Sequence, residues 1–204
     1  MITSWNQELR GNKMRTRQDI ARLMHRVAPV VLFLAIAAGG VVAQTHQAHE
    51  DWIKYDSGEG RYTVMLPGKP DVGSQEATSA DGVKFTQYKA GVYNADVAYL
   101  IGYFDYQPPM TFTFDKARDG MITAVRGSLV SERTITLSGF PGREMRINAK
   151  DERGIDYDMR ARFYDVNQRI YVLQFIAPKS TPLEISDPKA ARYFDSFHLI
   201  TGSN

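Results

Sequence analysis

The search for chemistry in this sequence begins with histidine, because imidazole serves as a base and as a metal ligand near neutral pH. The chain has four histidines, and only His46, His49 and His198 follow residue 43. His198 comes directly after Phe197 at the end of the last predicted helix, where an imidazole interacts favourably with the helix dipole. We predict that structural role for His198 in preference to a catalytic one.

Hydrolysis by a serine nucleophile would have to rest on His198, since the predicted folded region contains no other histidine. The G-x-S-x-G signature of hydrolases is also absent from the chain. A small hydrolase is therefore the third-ranked function. We predict a protein that is not an enzyme and that carries no cofactor.

The second-ranked function is metal binding at a new N-terminus. Cleavage between Ala43 and Gln44 would leave a chain that begins Gln44-Thr45-His46. A free amine, two deprotonated amides and an imidazole at position three form a planar nitrogen set that suits Cu(II) or Ni(II). His49 is placed to assist. Coincidence is the competing explanation, and cyclisation of Gln44 would remove the amine.

Two charged clusters have simpler explanations than ligand binding. The segment DERGIDYD, residues 151–158, lacks the alternating oxygen ligands of a calcium loop and is predicted to be a solvated hairpin tip. An anion-binding face is conceivable on the strands beside it, but acidic residues interleave with the basic ones and predict a neutralised face. The residues concerned are Arg143, Glu144, Arg146, Asp156, Asp158, Arg160 and Arg162.

An uncharged run, VAPVVLFLAIAAGGVVA, occupies residues 27–43. Basic residues precede it, and Val41 and Ala43 suit the −3 and −1 positions of a signal-peptidase site. The alternative is a retained membrane anchor, but the run is short for a span and Pro29 shortens its helix further. We predict a bacterial-type signal peptide cut between Ala43 and Gln44, a periplasmic or secreted protein, and membrane contact only through that signal.

Residues 1–43 form an N-terminal extension followed by the signal peptide. Met24 to Ala43 is already a complete signal, which predicts that translation starts at Met24 or Met14 in place of Met1.

Charge and cysteine content narrow the partners. The whole chain has 25 Lys and Arg against 23 Asp and Glu, yet residues 44–204 hold only 19 of the basic and 21 of the acidic residues. A mildly acidic domain without a basic run has no electrostatic footprint for nucleic acid. The chain has no cysteine, which excludes disulfides and thiolate metal sites. We predict an unknown protein or small-molecule partner in the cell envelope.

The elements behind these candidates form one predicted α+β domain over residues 61–204, after an irregular segment at 44–60 in which Trp52 and Tyr55 serve as packing anchors. Apolar periodicity and turn residues predict the remaining order. The predictions are strands at 62–66, 83–91, 95–105 and 133–137, a polar loop at 71–82, a helix from 114 to 129, two hairpins over 143–177, and a helix capped by Ser186-Asp187-Pro188.

The hairpin registers follow from matching apolar and charged faces. A three-residue loop at 151–153 places Met145 opposite Met159 and Arg146 opposite Asp158. A second three-residue loop at 166–168 places Phe163 opposite a tyrosine, Tyr171. The sequence thus predicts an antiparallel sheet with helices packed on it.

The order of elements resembles a known family. An opening strand and turn in EGRYTVMLPGKP, a central helix in FDKARDGMITAVRG, the turn GFPGRE, the hairpin RARFYDVNQRIYVLQF and the terminal helix KAARYFDSFHL are similar to PsbP-like proteins. The resemblance covers residues 52–200. It implies an α/β/α sandwich and a non-enzymatic binding or assembly role, outside the cytoplasm.

Overall fold

The computed structural model describes residues 51–79, 82–94, 97–151 and 154–200. Strands dominate these ranges, and two helices interrupt them. The elements are β1 (Ile53–Ser57), β2 (Tyr62–Leu66), β3 (Asp71–Thr78), β4 (Lys84–Asn94), β5 (Val97–Asp105), α1 (Phe114–Ala124), β6 (Ser128–Leu137), β7 (Phe140–Lys150), β8 (Asp156–Val166), β9 (Arg169–Pro178), α2 (Leu183–Asp195) and β10 (His198–Leu199).

Seven antiparallel strands form the main sheet, in the order β3-β4-β5-β9-β8-β7-β6. A smaller antiparallel sheet has the order β1-β2-β10. Helix α1 packs on one face of the main sheet, and α2 packs on the other face together with β2. The predicted α+β class, an antiparallel sheet between two covering layers, is therefore confirmed. The small sheet is an addition that the sequence did not predict.

Two adjacent inner strands of the main sheet, β5 and β9, explain why it needs cover on both faces. Nearly every residue of β5 and β9 is buried. Such strands carry continuous apolar runs, as the prediction for 95–105 assumed. Alternate residues of β9 enter opposite cores: Val172 belongs to the core under α1 and Leu173 to the core under α2.

The helices begin and end at other residues than the sequence indicated. Thr113 caps α1, its hydroxyl accepting from the amide of Lys116 at 3.2 Å. The helix stops at Ala124 because Arg126 takes a positive φ of 48°. Helix α2 begins before the predicted cap and contains Pro188. Neither helix in the described part of the chain is long and apolar enough to cross a membrane.

Two segments predicted to be irregular contain strands. Residues 53–57, within the irregular segment 44–60, form β1 against β2, and Trp52 and Tyr55 pack on the core as expected. Residues 71–78, predicted as polar loop, form β3 at the edge of the main sheet. An edge strand exposed on both faces needs no apolar alternation, so periodicity could not reveal it.

Both hairpin registers were wrong by a small slip. The loop of the first hairpin begins at Asp151 and is longer than the predicted three residues. Ile147 pairs with Met159, so the register differs from the predicted one by two residues. A slip of two keeps every side chain on its predicted face. The second hairpin has a two-residue turn and Phe163 pairs with Val172, a slip of one. A slip of one places the side chains of β9 on the opposite face from the predicted one, so Phe163 shares its face with Val172 and not with Tyr171. The error arose because a strand buried on both faces has no alternation of apolar and polar residues from which to set the register.

Candidate functional site

A cleft of about 530 Å³ opens at one end of the main sheet. Its walls come from the turn before β2, the segment after β5, the β8–β9 turn and the end of β10. The side chains that matter below are Arg61, Gln107, Asn167, Arg169, Tyr171 and Ile200. Because these residues are far apart in sequence, the topology of the two sheets assembles the cleft.

The turn between β1 and β2 is fixed by hydrogen bonds to four successive carbonyl oxygens. The pairs are the Arg61 amide to Gly58 O (3.2 Å), Arg169 Nη1 to Glu59 O (2.8 Å), the Tyr171 hydroxyl to Gly60 O (2.7 Å) and the Ile200 amide to Arg61 O (2.8 Å). Backbone groups engaged in this way have little freedom to move. The turn therefore presents the side chain of Arg61 from a rigid base.

Arg61 occupies a conformation that favours glycine. Its φ is 54°, and a left-handed backbone costs an L-residue roughly 1–2 kcal/mol. Its side chain is exposed and lines the cleft, and within the described ranges it forms no ion pair. An uncompensated cation on a strained backbone is an observation from which a functional hypothesis can be drawn.

Arg169 is a second arginine in the cleft wall, and its guanidinium is bound within the protein. Its guanidinium donates to both carboxylate oxygens of Asp105, at 2.6 and 2.8 Å, and lies 4.6 Å from the centre of the Tyr103 ring. The hydrogen bonds to Asp105 raise the pKa of Arg169, although burial opposes the shift. Arg169 is thus engaged with the protein itself, unlike Arg61.

The opposite rim is held by a tyrosine and a tight turn. The Tyr106 hydroxyl donates to Asp165 at 2.9 Å, and burial together with this carboxylate raises the pKa of Tyr106 to about 12. The turn residues Asn167 and Gln168 have φ of 51° and 67°, the two positive values that a type I′ hairpin requires. The turn therefore places the backbone of both residues on the rim.

The cleft combines donors with apolar surface. Arg61, Gln107 and Asn167 supply N–H groups, while Phe140 and Ile200 supply apolar walls. This arrangement can hold and orient a ligand, which is the usual composition of a binding site. It brings together none of the residues that the sequence singled out for chemistry.

His198 lies in β10, opposite Thr63 of β2, and its side chain is exposed. The predicted position at a helix C-terminus was wrong, because α2 ends at Asp195 and the chain turns back to form the third strand of the small sheet. The predicted dipole interaction does not apply in a strand.

The metal candidates His46 and His49 and the cleavage site Ala43–Gln44 lie outside the described residues. They remain predictions. Within the ranges that the structure describes, no group of three or more His, Asp or Glu residues is placed to hold a metal ion. In the predicted hairpin tip, the Asp151 carboxylate accepts from the amide of Ile155 at 2.8 Å and so serves the loop itself.

Three arginines of β7 and β8, namely Arg146, Arg160 and Arg162, lie on one face of the sheet and form the neutralised face that the sequence predicted. Arg143 was predicted on the same face but lies on the opposite one, beside Phe114 of α1. The carboxylate contacts of the four arginines are Arg143 to Glu132, Arg146 to Asp158, Arg160 to Asp158 and Asp187, and Arg162 to Glu144 and Asp195. Asp187 and Asp195 belong to α2, so part of this network fastens the helix to the sheet. The arginines of this network are therefore neutralised by carboxylates of the protein itself.

Sequence reasoning missed the three charged residues of the cleft, Arg61, Asp105 and Arg169. One signal was available: Gly58-Glu59-Gly60 before a strand predicts a tight turn, and the residue after it is placed for a special backbone conformation. Nothing in the sequence indicated that 105 and 169 are neighbours, since that pairing depends on β5 lying beside β9.

Comparisons with known proteins identify the fold. No family model and no curated protein matches the chain. The solution structure of cyanobacterial PsbP (CyanoP) from Synechocystis sp. PCC 6803 is similar, with 10% identity, a TM-score of 0.51, and coverage of 79% of this chain and 99% of that one.

Two further structures give lower scores. The Ran-binding protein Mog1p of Saccharomyces cerevisiae has 8% identity and a TM-score of 0.45, covering 74% of this chain and 96% of that one. A Pseudomonas aeruginosa protein of unknown function, described as a putative regulator, has 12% identity and a TM-score of 0.44, covering 75% and 99%. The similarity to CyanoP confirms the resemblance to PsbP-like proteins at the level of the fold.

Proposed function

We propose that this PsbP-like domain is an exported, non-enzymatic binding or assembly module, and that the cleft at the end of the main sheet receives its partner. The observation that carries the proposal is the fixed turn at Gly58–Arg61, whose four engaged carbonyls hold at the cleft a guanidinium without an ion pair in the described part of the chain. Preorganised groups of this kind favour binding because less freedom is lost when a partner arrives.

Export is supported by the apolar run at 27–43 and by a fold that it shares with CyanoP. The mildly acidic charge of residues 44–204 supports a protein or small-molecule partner in the envelope over nucleic acid. Intact mass of the secreted form tests export: a chain that begins at Gln44 supports it, and a full-length chain in the cytoplasm contradicts it.

Cross-linking in living cells tests the partner. A photoreactive residue replaces Gln107 on the exposed rim of the cleft, and the matched control replaces Glu76 on the exposed edge strand β3. We expect a discrete adduct from position 107 that position 76 does not give. The same adduct from both positions, or none from 107, would contradict the proposal.

The captured partner is then purified, and its affinity for the mature protein is measured directly. Gln107→Trp narrows the cleft and should weaken binding by about tenfold or more, because a blocked pocket loses its central contacts. Glu76→Trp adds the same bulk far from the cleft and should leave the affinity unchanged. Equal effects of the two substitutions would place the interaction elsewhere on the molecule.

A further inference from the structure

The ligand class of the cleft can be inferred from its charges, a step that rests on the proposed function. We infer that the guanidinium of Arg61 anchors a carboxylate borne on an apolar group of the ligand. The inference depends on which arginines are free, on the backbone that presents Arg61, and on the charge and surface that surround it.

Most arginines in the described ranges are paired with carboxylates. Those without one are Arg61, Arg126 and Arg192, and Arg192 stacks at 4.6 Å on the ring of Trp52. Arg126 lies just after the C-terminal end of helix α1 and does not line the cleft. Arg61 is therefore the described arginine that is both at the cleft and available to a ligand anion.

Strained residues concentrate around this cleft. Five described residues other than glycine have positive φ, and three of them, Arg61, Asn167 and Gln168, line the cleft. Glycine would satisfy each backbone without strain. The type I′ turn accounts for Asn167 and Gln168, whereas at position 61 the strained backbone presents a charge to the cleft.

The anion is inferred to be a monoanion. A guanidinium binds the two oxygens of a carboxylate in a planar, bidentate pair. The other cation in the wall, Arg169, is already bound to Asp105, and Glu59 is adjacent in the turn. Because Arg169 and Asp105 neutralise each other, Arg61 is the described cation left for a ligand, and the nearby Glu59 opposes any further negative charge. The cleft therefore compensates a single negative charge better than the two charges of a phosphate monoester.

The remaining surface selects an apolar body for the ligand. Phe140, Val166, Leu199 and Ile200 line the cleft, and Ile200 is 37% exposed. Burying such side chains against an apolar group is favourable in proportion to the area covered. A chain of a few carbons attached to a carboxylate fits both requirements, whether it is a free acid or the C-terminal residue of a polypeptide.

The experiment titrates the isotope-labelled mature protein with hexanoate, followed by NMR of the Gly60, Arg61 and Ile200 amides. Hexanamide has the same apolar body without the charge, and hexyl phosphate has the same body with a larger charge. We expect saturable shifts with hexanoate at millimolar concentrations, at least about tenfold weaker binding of hexanamide, and no tighter binding of hexyl phosphate. N-acetylated peptides with free or amidated C-termini then separate a polypeptide end from a free acid.

Two arginine variants provide matched controls. Arg61→Gly and Arg126→Gly both replace an exposed arginine at a positive φ, 54° and 48°, so each should fold at least as stably as the wild type. Only Arg61→Gly should abolish hexanoate binding, and Arg61→Lys should retain part of it. Hexanoate shifts that persist in Arg61→Gly, shifts as large with hexanamide, or the absence of shifts with hexanoate in the tens of millimolar would overturn the inference.

The two proposals fail separately. If the cross-linked partner binds Arg61→Gly as well as it binds the wild type, the cleft remains the partner site and the carboxylate inference fails. If no partner contacts position 107 but hexanoate binds through Arg61, the anion site stands without the assembly role.

Discussion

The side chain of Gln174 supports a stability prediction that can be worked out from the structure. Gln174 lies on β9 with no exposed surface, between Leu100 of β5 and Ala161 of β8. Neither its amide oxygen nor its amide nitrogen has a hydrogen-bond partner within the described residues. A buried polar group left without a partner costs on the order of 1–3 kcal/mol. Gln174→Met removes that cost and keeps the unbranched shape of the side chain.

We expect Gln174→Met to raise the free energy of unfolding by about 1–2 kcal/mol, which for a domain of this size is roughly 3–6 °C in Tm. Urea denaturation of the mature chain measures it. Gln87→Met is the matched control, because Gln87 is equally buried but its amide oxygen accepts from Gln75 at 3.0 Å. That variant should lose stability. A loss in Gln174→Met as well would refute the reasoning and indicate an ordered water or another partner at the Gln174 amide.

Three further results are expected. Tyr171→Phe leaves the carbonyl of Gly60 without its donor and should lower the free energy of unfolding by about 1–3 kcal/mol. Amide exchange in the turn between β1 and β2 should become faster, and unchanged exchange would contradict the role of this hydrogen bond in fixing the turn. Glu144 has its pKa lowered below 4.5 because the hydrogen bonds from its two arginine partners outweigh the opposing effect of burial, so its contribution is present above that pH and is lost as the pH falls through the folded pKa. Glu144→Gln should therefore flatten the acid limb of the stability curve, and an unaltered limb would refute this. His46→Ala should abolish Cu(II) binding measured by calorimetry on the cleaved chain, and weak binding insensitive to that substitution would end the metal hypothesis.

The acid-limb prediction depends on a network whose chemistry the sequence already indicated. Arg146 and Asp158 were expected to pair, and they do at 2.7 Å, although they are diagonal neighbours and not opposite one another. Long side chains reach diagonal positions, so charge matching identified the contact while leaving the register two residues out.

The missed strands show the limit of periodicity. β5 was identified because a strand buried on both faces needs a continuous apolar run, and its central position in the main sheet follows. β3 was missed because its side chains are largely exposed and its stability comes from main-chain hydrogen bonds to β4. Backbone pairing leaves no trace in residue types when neither face is covered.

Residue types and spacing by themselves determined the α+β class, the packing of Trp52 and Tyr55, and the pairing of the β7 and β8 arginines with carboxylates. These features are local, or they follow from patterns with a short period. The tertiary structure alone decided where Arg61, Asp105 and Arg169 meet, because their proximity depends on which strands lie side by side. It also decided which guanidinium at the cleft has no ion pair among the described residues, since an ion pair joins residues that are distant in sequence.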